Sequence, residues 1–285
     1  MSNIRTIQIS ALNIAMHQPH SPERYVSLFK DAIKLRTLVR LDTLHWAMLG
    51  SVSGPKGDGP AEELTGEIYR FVRLDPSEPW FNTQTREAAT ENDVGDIKIP
   101  AHLLPHLQRI EFIFKPAVHE LWFICRDRSE RLGPQTAVKF FQTLFNHLVQ
   151  TQEYPPIEVT AIPDTDTLNE MLSLSKLERL TIELKRPNAD DGADEEVKWL
   201  KKLAKQNVKT ITTKLVAVAG ASIAPDQETK ALAFVAARNG NVSVTGRDAS
   251  GRRVDESTKS RPLMIPYEVD SNIETSMDVL SRAAT

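Results

Sequence analysis

One cysteine among 285 residues excludes an internal disulfide framework and any zinc site built from several thiolates. Cys125 lies in the apolar run Leu121-Trp-Phe-Ile-Cys125, where a buried, inert thiol is expected. Charge of one sign is also lacking. Lys and Arg total 35 against 38 Asp and Glu, so the net charge of -3 supplies no global field toward nucleic acid or an anionic membrane, and any anion site must be local. No apolar run approaches the roughly 18 to 20 residues of a membrane span, and the polar start Met1-Ser-Asn-Ile-Arg5 lacks the regions of a signal peptide. A cytoplasmic protein without a membrane partner is expected. Glycine-rich phosphate loops of the Walker or dinucleotide type are missing, as are a nucleophile elbow and any repeat of fixed period.

What is present is ordinary globular patterning. Ile4, Ile7, Ile9 and Leu12 form an imperfect period of two, after which Ser21-Pro22 opens a helix striped by Tyr25, Leu28, Phe29, Ala32 and Leu35. Leu41 to Ser53 and Leu64 to Leu74 pair as a hairpin around the loop Gly54 to Pro60, and the polar stretch Asn82 to Gly95 reads as surface loop. A second hairpin joins Ile110, Phe112 and Phe114 to His119 through Cys125. Gly133-Pro134 then starts the clearest helix, striped by Ala137, Phe140, Phe141, Leu144, Phe145 and Leu148.

Tyr154-Pro155-Pro156 ends that helix and marks the expected boundary between an N-terminal domain, residues 1–154, and a C-terminal domain, residues 155–285. Beyond it the pattern predicts strands over Ile157 to Ile162, Leu177 to Leu184, Val208 to Val218 and from Val242, with helices over Thr167 to Leu174, Asp194 to Gln206 and Asp226 to Arg238. The tail from Ser271 reads as helical. The expected class is α+β, with antiparallel hairpins and a mixed sheet covered by amphipathic helices.

Three groups of residues carry candidate chemistry. Pro163-Asp164, followed after eighteen residues by Glu183-Leu184-Lys185, matches the Pro-Asp…Glu-x-Lys pattern of metal-dependent nucleases. Glu183 and Lys185 share a strand face, where Asp164 would complete an oxygen site for Mg²⁺ beside a cation steadying the attacking water. The same residues also read as the solvent face of a half-buried strand. The second group is a stripe of Lys198, Lys201, Lys202 and Lys205 at helical spacing, opposite Val197, Leu200 and Ala204. The third is Arg247, Arg252 and Arg253, on a basic segment held by Gly246 and Gly251 and expected to be a mobile loop or hairpin. If the lysines and arginines line one surface, they would meet a polyanion. His17 with His20, and His102 with His106, are interrupted by prolines and predict no metal site, while Arg40 and His45 have the spacing of a helical ribonuclease motif but run into a strand.

Several stretches resemble a bacterial family known only as a domain of unknown function, the one numbered four thousand seven hundred and forty-seven. They are Gly66-Glu-Ile-Tyr-Arg-Phe71 with Asp75-Pro76 and Pro79-Trp-Phe-Asn82, Phe112-Ile-Phe114 with His119, Arg186-Pro-Asn188 with Asp190-Asp191, and Gly240-Asn-Val-Ser-Val-Thr-Gly246. The resemblance implies a bacterial cytoplasmic protein of the kind met beside mobile elements and phage-defence systems, and it carries no catalytic residues with it. The expected function is therefore a binding or accessory component that engages a protein partner or nucleic acid, with self-association left open and no cofactor. The alternative is the Mg²⁺-dependent nuclease built on Asp164, Glu183 and Lys185.

Overall fold

A computed structural model describes residues 4–54, 63–75, 78–95, 97–100, 102–185, 199, 201–203 and 205–284. The first part of the chain forms β1 (Ile4–Met16), α1 (Pro22–Leu35), β2 (Val39–Arg40), β3 (His45–Ser53), β4 (Leu64–Val72), β5 (Phe81–Asn82), β6 (Glu87–Ala88), α2 (Glu91–Gly95), β7 (Gln108–Lys115), β8 (Glu120–Asp127), β9 (Glu130–Arg131) and α3 (Pro134–Thr151). It continues as β10 (Ile157–Ala161), α4 (Thr165–Leu172), β11 (Lys176–Lys185), β12 (Thr210–Val216), α5 (Gln227–Arg238), β13 (Gly240–Arg247), β14 (Arg253–Ser257), β15 (Ile265–Asp270) and α6 (Ser276–Ala283).

The helices that form the main core are specified locally. Ser21 accepts a hydrogen bond from the Arg24 amide and Pro22 occupies the first turn of α1, whose buried side is Tyr25, Leu28, Phe29 and Ala32. Pro134 likewise starts α3, and every residue of its predicted stripe, Phe141 included, is fully buried. Phe29, Phe112, Phe141 and Phe145 meet there with ring centroids 5.6 to 6.2 Å apart, within the range of favourable aromatic pairing.

These helices cover one face of a large antiparallel sheet ordered β10-β1-β8-β7-β4-β3-β2, with β15 also on β1 and β9 on β8. Both predicted hairpins are present, β3 with β4 and β7 with β8. α6 covers part of the opposite face, where Val279 and Leu280 pack on Ile7, Ile9, Ile113, Ile124 and Val269. β1 is thus covered on both sides, which is why its alternation is imperfect in sequence. Its second edge is filled twice by later chain: β10 pairs with Leu12 to Met16, and β15 with Ile4 to Ile9. Between these two visits, past the expected boundary at Tyr154, the chain builds a second sheet.

That sheet is ordered β12-β11-β13-β14. The pattern predicts a mixed sheet; instead every ladder in it is antiparallel. The connection from β12 through α5 to β13 resembles a parallel crossover in sequence, yet those two strands flank β11 on opposite sides and never pair. Leu180, Ile182, Leu184, Val242 and Val244 face a core closed by α4, α5, Trp199 and Leu203. Because side chains alternate across a sheet, the other face presents Arg179, Thr181, Glu183, Thr212, Lys214, Asn241, Ser243 and Thr245. It is polar and open.

Polar contacts join the two sheets. The Asn13 amide donates to the Asn239 side-chain oxygen at 2.9 Å in a buried contact, the Thr160 hydroxyl donates to the Arg238 carbonyl at 2.7 Å, and Lys185 pairs with Glu158 at 3.1 Å. Among the described residues no helix is long and apolar enough to cross a membrane. The stretch Asn82 to Gly95 lies at the surface as expected, shaped there by the two-residue strands β5 and β6 and the short α2.

Candidate nucleic-acid interface

The basic segment of the last third is a hairpin. In the turn between β13 and β14, the Asp248 carboxylate accepts hydrogen bonds from the Ser250 amide (2.9 Å), the Ser250 hydroxyl (2.6 Å) and the Arg252 amide (3.0 Å), while Gly251 takes the left-handed conformation with φ of 81°. This turn sets Arg247 directly opposite Arg253. On its other side Arg247 lies opposite Lys176 of β11. The close approach needs a glycine: a Cβ on Gly246 would overlap the Lys176 carbonyl oxygen and sit 3.2 Å from Leu177 Cα.

Arg179 joins the same group through an irregularity. Lys176 and Arg179 are three apart, a spacing that places residues of a regular strand on opposite faces. The register of β11 against β13 shifts between Leu177 and Arg179, which returns Arg179 to the face of Lys176 and sets it opposite Thr245. Beyond β12 the turn from Ala217 to Ala221 forms a wall, held by a hydrogen bond from the Ala217 amide to the Glu178 carbonyl at 2.9 Å. Wall and strands together line a cleft of about 360 Å³ that includes Lys176, Glu178, Arg179, Thr245, Arg247 and Arg253.

Four cations face one carboxylate in this cleft. Glu178 lies 3.5 Å from Lys176 and 3.6 Å from Arg247, so it is already shared by two of them. Arg179 and Arg253 are exposed and form no ion pair among the described residues. Asp255 projects from the same side two residues beyond Arg253 but does not line the cleft. A planar guanidinium with free donors is suited to the paired oxygens of a phosphate.

The remaining candidates do not gather here. Arg252 stands at the hairpin tip, 3.5 Å from Asp248 and outside the cleft. Lys201, Lys202 and Lys205 are exposed on a helical stretch whose Trp199 and Leu203 enter the second core, so this stripe and the arginines stand on opposite sides of the sheet. Lys202 lies over the Trp199 ring, 4.5 Å from its centroid; Lys198 falls outside the described residues. Asp164 caps α4, accepting from the Asp166 amide at 3.1 Å and the Thr167 hydroxyl at 3.2 Å. α4 packs on the apolar side of β11, whereas Glu183 projects from the polar side, and Lys185 is held by Glu158.

Among the described residues no three His, Cys, Asp or Glu side chains gather where they could hold a metal ion. His20 packs edge-on to His119 at 5.5 Å, and the His106 ring is hydrogen-bonded with Gln108 at 3.0 Å. Arg40 donates to the Asp42 carbonyl and the His45 ring meets the Asp42 carboxylate at 2.9 Å, so this pair closes a turn between β2 and β3. Cys125 is buried, and that burial pushes its thiol up to about 11, where it stays protonated at neutral pH. Just before the surface stretch, Phe81 is exposed and Trp80 half-buried.

A family model described as Domain of unknown function (DUF4747) matches residues 5–285. The chain belongs to this family. The match runs from the first strand to beyond the last helix, and it includes both sheets and the cleft. Two glycines that carry the resemblance have a physical role in the four-stranded sheet, since Gly246 admits Lys176 and a Cβ on Gly240 would overlap the Glu183 carbonyl. No curated protein matches the chain.

Proposed function

We propose that the protein is a cytoplasmic nucleic-acid-binding component of a bacterial defence or mobile-element system, and that it binds through the polar face of the four-stranded sheet. The observation that carries this reading is the two exposed guanidiniums, Arg179 and Arg253, which form no ion pair among the described residues and stand beside Lys176 and Arg247 on an open face. Lys214, Asn241, Ser243 and Thr245 extend the same face with donors that suit phosphate and sugar contacts. Among the described residues no observation favours the alternative Mg²⁺-dependent nuclease: Asp164 accepts hydrogen bonds from its own helix, Glu183 projects from the polar side of β11 and Lys185 pairs with Glu158.

Fluorescence anisotropy with a labelled single-stranded oligonucleotide tests the reading. Log affinity should fall with log salt with a slope of about -0.7 for each phosphate neutralised. Arg179→Glu with Arg253→Glu should weaken binding at least about tenfold for unrelated sequences, since phosphate contacts do not read bases. Lys201→Glu with Lys202→Glu, on the far side of the sheet, should leave it unchanged. Salt-insensitive binding, or loss in the lysine pair with none in the arginine pair, overturns the assignment.

A further inference from the structure

The charge on the open face is concentrated at one corner. Lys176, Arg247 and Arg253 lie in one row across three neighbouring strands, with Arg179 in the next row. Farther along β11 and β13 the face carries Thr181, Glu183, Asn241 and Ser243, with Lys214 across from Thr181 on β12. A groove that follows a continuous phosphate chain distributes its cations along its length. Here they converge on a cleft that the Ala217 to Ala221 turn walls on one side. Its volume of about 360 Å³ is at the small end of ligand pockets, which run from roughly 300 to 1,000 Å³.

A phosphate monoester suits such a place better than a diester. It carries close to two negative charges at neutral pH, because its second ionisation lies near pH 6, and it offers three terminal oxygens. Arg179 and Arg253 each supply a fork of donors, Lys176 and Arg247 supply charge shared with Glu178, and Thr245 stands opposite Arg179 on the same strand face. A strand passing through would present one charge per phosphate and would need an exit past the turn.

We propose that the cleft of Lys176, Arg179, Thr245, Arg247 and Arg253 seats a phosphate monoester, either the phosphorylated end of a nucleic-acid strand or a free nucleotide. This rests on the nucleic-acid reading and specifies what part of the ligand the site holds. Arg179 is the central positioning contact, and the bulge in β11 is what delivers it.

The test compares one labelled single-stranded oligonucleotide in three forms: 5′-phosphorylated, 3′-phosphorylated and with both ends hydroxyl. A nucleoside monophosphate and inorganic phosphate serve as competitors. One phosphorylated form should bind at least about tenfold tighter than the hydroxyl form, the effect of one or more charge-assisted contacts. Arg179→Gln and Arg253→Gln, both at exposed positions, should each reduce that preference while a thermal melt shows the fold retained. Equal affinity for all three forms overturns the seat and leaves the nucleic-acid reading intact. A nucleoside monophosphate that raises the melting temperature while no form of the oligonucleotide binds supports the seat, names the free nucleotide as its source and overturns the nucleic-acid reading. Failure of every probe to bind overturns both.

Discussion

Replacing Gly246 by alanine should damage the second sheet and the cleft together. The added Cβ would overlap the Lys176 carbonyl oxygen and come within 3.2 Å of both Leu177 Cα and Leu174 Cδ1. The first two are backbone atoms of the paired strand, so relief requires β11 and β13 to separate where Lys176 faces Arg247. Overpacking of this kind costs about 1 to 3 kcal/mol, which for a chain of this size is a fall in Tm of roughly 2 to 12 °C. Circular dichroism melts would measure it. A useful control is Gly54→Ala, where a Cβ meets nothing within 4 Å and the cost should be small. Because the added methyl separates the strands carrying Lys176 and Arg247, anisotropy at a temperature where the variant is folded should also show weaker oligonucleotide binding. A Gly246→Ala protein with unchanged Tm and unchanged binding would refute the reasoning that close strand approach builds the site.

Phe141→Ala should cost about 3 to 5 kcal/mol, since the ring is fully buried among Phe29, Phe112, Phe140 and Phe145 and these neighbours can collapse only partly; a loss below about 1 kcal/mol in denaturant melts would contradict this core. Glu111 is raised above its ordinary value of 4.5, first by burial and then by the carboxylates of Glu67, Glu130 and Asp127. A raised carboxyl favours the folded state while it holds its proton, so its contribution is full below about pH 4.5 and is lost as pH rises through the higher folded value. Glu111→Gln should therefore raise Tm at neutral pH and flatten the pH profile on the acidic side; a lower Tm at pH 7 would show that the charged form is the stabilising one.

How much of this was legible depended on how local each signal was. α1 and α3 could be read from their stripes because a helix places its own neighbours at fixed offsets, and both carry their start signals at Ser21-Pro22 and Gly133-Pro134. β15 could not be read: Ile265 to Asp270 includes Pro266, and its partner is the first strand, at the far end of the chain. Of the cleft, Arg247 and Arg253 were visible as a basic hairpin, whereas Lys176 and Arg179 were hidden because their odd spacing assigns them to opposite faces unless the strand is bulged. The lysine stripe showed the reverse problem. Helical spacing put Lys201, Lys202 and Lys205 on one face, and they are exposed, but spacing within one helix says nothing about which side of a sheet that helix covers.

The double filling of one edge of β1 bears on how the protein comes to be made. Ile4 pairs with Asp270, so β1 leaves the ribosome long before the strand that fills this part of its edge. At the usual rate of about 5 to 20 residues per second, that interval is roughly 13 to 53 seconds. During it the backbone of Ile4 to Ile9 has no partner on that side, and an unpaired apolar strand edge is a template for joining another chain. β10 arrives earlier and closes only the Leu12 to Met16 end. Chains cut short before Ile265 would keep that template open for good, so premature termination should yield aggregates where full-length synthesis yields folded protein.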